Sequence, residues 1–128
     1  MKDQIHHTIK SMVNSFLPNA QVLLFGSRAR GESTIDSDYD LLVITRETYA
    51  PRVKMNWESK IRKALVNELN LPFDVIIQSE KEVSQKKNLS GHIVYYAMKE
   101  AVEIGKTMKE IMWNNGLKKQ QTICWRLD

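Results

Sequence analysis

Asp38 and Asp40 are the residues of this chain best placed to do chemistry. They flank Tyr39 and lead into the apolar run 41–44, Leu-Leu-Val-Ile. Successive strand side chains point to opposite faces, so the two carboxylates share one face and Tyr39 takes the other. Neighbouring like charges repel each other. A cation between them relieves that repulsion, and a divalent metal with oxygen ligands is the usual one. Upstream, Gly26-Ser27 follows a second apolar run, 22–25, and leads into Arg28-Ala29-Arg30-Gly31. A glycine lets backbone approach a phosphate with no side chain in the way. Ser27 offers a hydroxyl and an N–H to the same group, and Arg28 and Arg30 are near enough to add positive charge. A third acid, Asp74, interrupts the apolar run 73–77. A lone charge inside such a strand is costly unless it is paired or binds metal. The alternative for Asp74 is an exposed strand end beside Pro72.

Gly-Ser, ten intervening residues, then Asp-x-Asp resembles the signature of the DNA polymerase β nucleotidyltransferase superfamily. The short chain resembles its smallest branch, the minimal nucleotidyltransferases. Four such fixed positions match by chance in roughly one chain in a thousand of this length. The segment 91–104 is also similar to the family's closing helix and strand, and the resemblance runs from about 21 to 104. It implies an α/β (α+β) fold with a small mixed sheet flanked by helices, and it implies that the Asp74 strand lies beside the Asp38/Asp40 strand. Asp38, Asp40 and Asp74 are then the catalytic acids, holding two Mg²⁺ ions, with Asp74 also accepting the nucleophile's proton. Gly26, Ser27, Arg28 and Arg30 bind the triphosphate. The implied reaction transfers a nucleoside monophosphate from an NTP, with ATP the expected donor, onto an acceptor and releases pyrophosphate. The family also implies a partner, a small all-helical protein of the HEPN class encoded alongside. Such pairs look like toxin–antitoxin modules, in which the nucleotidyltransferase attaches AMP to a tyrosine of the HEPN ribonuclease. That partner, or a homodimer, is expected to complete the site.

Three other readings compete. Asp36, Asp38 and Asp40 followed by Glu47 imitate the ligand spacing of a calcium loop, but its sixth position needs Gly and here is Leu41. An antitoxin that works by binding alone needs only the fold. A small-molecule nucleotidyltransferase with an aminoglycoside-like acceptor needs a pocket that so short a chain has little room to build.

The elements that must position these residues follow from apolar periodicity. Ile5, Ile9, Met12, Val13 and Phe16 recur at helical spacing and predict a first helix, closed by Pro18-Asn19. Strands are expected over 20–25, 39–45 and 73–78. A single helical turn is expected over 27–31, its free N–H groups facing whatever sits over Gly26, and a polar loop over 31–37. Pro51 opens a long amphipathic helix whose inward stripe is Val53, Trp57, Ile61, Ala64, Leu65 and Leu69. Its solvated face includes Lys54 and Glu58. Ser79 and Glu82 fit a capping box. A further helix over 92–101 turns Ile93, Tyr96 and Ala97 inward, with His92 exposed or capping. A short strand over 102–104 and a helix over 106–113 complete the expectation.

At 128 residues the chain reads as one domain, with a core of about 20–105 and an extension over 106–128. The net charge of +4 is spread along the chain, so charge alone gives no argument for direct nucleic-acid binding. Cys124 is the only cysteine, which excludes an intramolecular disulfide and gives no support to a Cys/His zinc cluster. The start lacks the apolar run of a signal peptide, and no stretch reads as a membrane span. A reducing cytoplasm is the expected location.

Overall fold

A computed structural model describes residues 2–104 of the chain. The expected helix 106–113 and the tail with Trp113, Cys124 and Trp125 lie outside the described residues. The elements run α1 (Lys2–Phe16), β1 (Gln21–Phe25), α2 (Ser27–Arg30), β2 (Tyr39–Thr45), α3 (Pro51–Leu69), β3 (Phe73–Ser79), α4 (Glu80–Lys86), α5 (Ile93–Glu100) and β4 (Val102–Glu103). The strands form one mixed sheet in the order β3-β2-β1-β4. β1 pairs antiparallel with β2 and β4, and β2 pairs parallel with β3 across the α3 crossover.

Strand alternation sends apolar side chains to both faces, and helices cover both. Val22, Leu24, Leu41, Val43, Val75 and Ile77 pack with Ile9 and Val13 of α1 and Ile61 and Leu65 of α3. Leu23, Phe25, Leu42 and Ile44 face the other way, onto Val83 of α4 and Val94 and Ala97 of α5. Leu41, in the place where a calcium loop needs its turn, is fully buried inside β2.

Local chemistry explains the element ends. Pro51 opens α3, and Asn70 closes it in the left-handed conformation with its N–H on the Val66 carbonyl. The Ser79–Glu82 capping box forms in full at the start of α4. His92 caps α5, its Nδ1 accepting from the Val94 N–H at 3.1 Å.

Two expected faces need correction. On α3, Val53 is 41% exposed, whereas Lys54 and Glu58 turn inward. Glu58 Oε2 accepts the Ile77 N–H at 2.9 Å, covering a donor on the edge strand β3, and Lys54 Nζ lies 2.7 Å from Glu82 Oε2. Burial pushes the Glu82 carboxyl up, but bonds to Lys54 and the Ser79 N–H outweigh it and hold the group below its usual range. On α5, Val94 and Ala97 are buried, while Ile93 and Tyr96 face solvent. Helical spacing alone left several faces open, and contact with β1 selected one.

Candidate active site

The sheet has one end where β1 leaves and both β2 and β3 enter. Phe25 pairs with Asp40 across β1 and β2, and Asp40 pairs with Asp74 across β2 and β3. Paired residues share a face. Asp40 stands two residues before Leu42, so it and Asp74 lie on the α4/α5 side of the sheet. The adjacency that only the resemblance implied is therefore present. Asp74 itself is exposed, so the cost of burying a charge does not apply to it.

Asp40 is half-buried and feels its neighbours. Burial raises its carboxyl above the ordinary value of 3.8, and the charges of Asp74, Asp38 and Glu100 raise it further, with Arg30 opposing. Asp38 lies just before β2 and is exposed. The acids converge on one sheet end without closing on one point. Among the described residues, no three His, Cys, Asp or Glu side chains stand together as a ready metal cage. Asp38, Asp40 and Asp74 are neighbouring acids, close enough that the charges of the other two act on Asp40. Their chemistry still fits Mg²⁺, which takes hard oxygen ligands and is commonly held by one or two carboxylates plus waters and substrate phosphates. The exposed side chains of Asp38 and Asp74 are free to turn toward such an ion.

Gly26 makes the approach to Asp40 feasible. Its φ of 78° and ψ of −159° fall in a region reserved for glycine. A Cβ built there would overlap Asp40 Oδ2 and lie 3.2 Å from Asp40 Cγ. The single turn α2 follows, with the Ala29 and Arg30 N–H groups donating to the Gly26 carbonyl at 3.0 and 3.1 Å. The Gly26 N–H donates to Glu100 Oε2 at 2.6 Å.

The two arginines differ in use. Arg28 Nε donates to the Ser37 carbonyl at 3.1 Å and Nη2 to the Thr34 carbonyl at 3.3 Å. Its guanidinium sits 4.1 Å above the Tyr39 ring, which stacks on Phe73 at 5.2 Å. Arg28 therefore fastens the loop that delivers Asp38. Arg30 is exposed and bonds Glu32 Oε1 at 2.8 Å and Glu100 Oε1 at 2.9 Å. Ser27 lies at the start of α2, half-buried beside Gly26. Glu100 was not among the residues that the sequence marked out. Its spacing of three from Ala97 was the available signal, placing it on the inward ridge of α5. A separate cavity of about 370 Å³, lined by Leu17, Ala20, Thr45 and Tyr49 among others, lies at the opposite end of the sheet from the acids.

Known proteins share this fold. One chain of a toxin–antitoxin crystal structure with AMP-PNP superposes with a TM-score of 0.57 at 16% identity, covering 84% of this chain and 78% of that one. A Shewanella oneidensis complex of a tri-AMPylated HEPN toxin with its MNT antitoxin gives 0.55 at 15% identity, covering 88% and 79%. The toxin–antitoxin MntA–HepT gives 0.51 at 14%, covering 86% and 77%. At such identities the likeness is one of fold. No curated protein matches the chain. The nucleotidyltransferase domain model matches residues 6–96, from α1 through the Gly26 turn and all three aspartates into α5. This chain belongs to the nucleotidyltransferase domain family.

Proposed function

We infer that the protein transfers AMP from ATP to a protein acceptor, a helical HEPN toxin, and acts as the antitoxin of that pair. The observation that carries this reading is the Gly26 turn seated against Asp40, at the sheet end where Asp74 is Asp40's registered neighbour. A glycine turn that leaves no room for a side chain beside a pair of acids suits a triphosphate approaching carboxylates. The tri-AMPylated HEPN toxin and the AMP-PNP complex among the similar folds support the choice of acceptor and nucleotide.

In this scheme an acceptor hydroxyl attacks the α-phosphorus. A new O–P bond forms, the bond from the α-phosphorus to the oxygen bridging the β-phosphate breaks, and pyrophosphate leaves. The hydroxyl proton passes to the Asp74 carboxylate. Ser27 binds the triphosphate through its hydroxyl and N–H, Gly26 keeps that approach open, and Arg30 adds charge. Arg28 supports the site by holding the 31–37 loop. Asp38, Asp40 and Asp74 would hold two Mg²⁺ ions, which when bound offset the triphosphate charge and polarise the α-phosphate. The exposed apolar residues of α5, Ile93 and Tyr96, are available to the partner. Cytoplasm is the compartment that supplies both ATP and such a toxin. Among the described residues no helix is long and apolar enough to cross a membrane.

The test is transfer of label from α-labelled ATP with Mg²⁺ to the HEPN protein encoded alongside. Wild type should label it, and chelation of Mg²⁺ or the Asp38→Asn/Asp40→Asn double variant should abolish labelling. A double variant that still labels the partner would refute the site. One that neutralises the toxin as well as wild type would refute catalysis as the antitoxin mechanism.

A further inference from the structure

Glu100 ends α5, and no step of the scheme above uses it. Its side chain is 25% exposed and lies between two donors of one loop. Oε2 accepts the Gly26 N–H at 2.6 Å, and Oε1 accepts from Arg30 Nη1 at 2.9 Å. Across 74 residues of sequence, one carboxylate thus ties both ends of the 26–30 turn. We propose that Glu100 is a positioning residue for the phosphate-binding turn, holding Gly26 and Arg30 together against the Asp40 end of the sheet.

The physical need is specific. Gly26 must be glycine to approach Asp40, yet glycine brings more backbone freedom than any other residue. A charged acceptor on its N–H selects one conformation, and such bonds are about twice as strong as neutral ones. Arg30 carries a long side chain whose rotamers are fixed from both sides, by Glu100 and by Glu32. The hold comes from the element that continues into β4, and β4 pairs with β1 through Leu23–Glu103 and Leu24–Val102. The turn after β1 is therefore braced by a segment already fixed to β1. Exposed ion pairs contribute little to global stability. The loss on removing Glu100 should accordingly appear in ligand binding and local order, with the core amides unaffected.

That the ligand is a nucleotide rests on the nucleotidyltransferase reading, while the hold rests on the two bonds alone. Wild type, Glu100→Gln and Glu100→Ala are compared as ¹⁵N-labelled full chains. Amide exchange is followed at Gly26 and at the core residues Leu42 and Val43, and AMP-PNP affinity is measured with Mg²⁺. Glu100→Ala should speed Gly26 exchange and weaken AMP-PNP, each about tenfold. Glu100→Gln should do less, because its amide oxygen still accepts from Gly26. Leu42 and Val43 should exchange as in wild type in both variants. Unchanged Gly26 exchange in the folded state of Glu100→Ala would overturn the hold. Faster Gly26 exchange with unchanged or tighter AMP-PNP binding would overturn the positioning role. Failure of wild type to bind AMP-PNP would overturn the nucleotide reading, and Gly26 exchange would still decide the hold.

Discussion

Replacing Gly26 with alanine should damage the fold and the site together, and the structure separates the two contributions. Gly26 has φ 78° and ψ −159°, a conformation essentially restricted to glycine, and imposing it on alanine costs about 1–3 kcal/mol. The new methyl would also overlap Asp40 Oδ2, so Asp40 must rotate away from its place beside Asp74. Gly31 supplies the control. It too has a positive φ, 75°, but a Cβ there meets nothing within 4 Å. Gly31→Ala therefore pays only the left-handed conformation, about 1–2 kcal/mol. In thermal unfolding Gly26→Ala should lose on the order of 5–10 °C and Gly31→Ala on the order of 5 °C. In label transfer from α-labelled ATP, Gly26→Ala should fall at least about a hundredfold, which corresponds to ~2.7 kcal/mol of barrier. Gly31→Ala should transfer at close to the wild-type rate. Equal activity in the two variants would refute the claim that the Gly26–Asp40 contact builds the site. A Gly26→Ala protein with wild-type melting would refute the assigned backbone conformation.

Asp40→Asn should stabilise the protein at neutral pH while abolishing transfer. The Asp40 carboxyl is raised by burial and by Asp74, Asp38 and Glu100, against Arg30. The folded state therefore binds the proton more tightly than the unfolded chain does. Ionised Asp40 costs stability, and that cost grows as pH rises through 3.8 toward the raised folded value and is constant above it. Melting curves of wild type and variant should separate above that window and converge below 3.8; a variant no more stable than wild type at pH 7 would contradict the crowding of acids. Ser79→Ala removes one half of the capping box at α4 and should cost about 1 kcal/mol in chemical denaturation, leaving transfer intact. A loss of transfer beyond the loss of folded protein would mean that α4 reaches the site in some further way.

Most of the elements were legible in the sequence because their signals are local. The runs 22–25 and 39–45, the proline at the start of α3, the Ser79–Glu82 capping box and the Gly-Ser turn are each settled by neighbours a few residues away. That Asp40 shares a face with Leu42 is legible for the same reason, since alternation along a strand is a property of the backbone; Asp38 lies just before β2, outside the strand. Pairing between strands has no such local signal. Only the assembled sheet put β3 beside β2 with Asp74 opposite Asp40, although family resemblance had implied it. Which helical residues face inward was equally non-local. Lys54 and Glu58 turn in because Glu82 and an edge-strand N–H await them, and Tyr96 turns out because Val94 and Ala97 already fill the contact with β1 and β2. Arg28 and Arg30 look interchangeable in the sequence, and folding gave one to the loop and the other to Glu100. Glu100 shows the division most clearly. Its distance from Gly26 along the chain conceals a contact of 2.6 Å, because the sheet brings the end of α5 to the end of β1. The residue types capable of chemistry are written in the sequence, and their mutual distances exist only once the strands have paired.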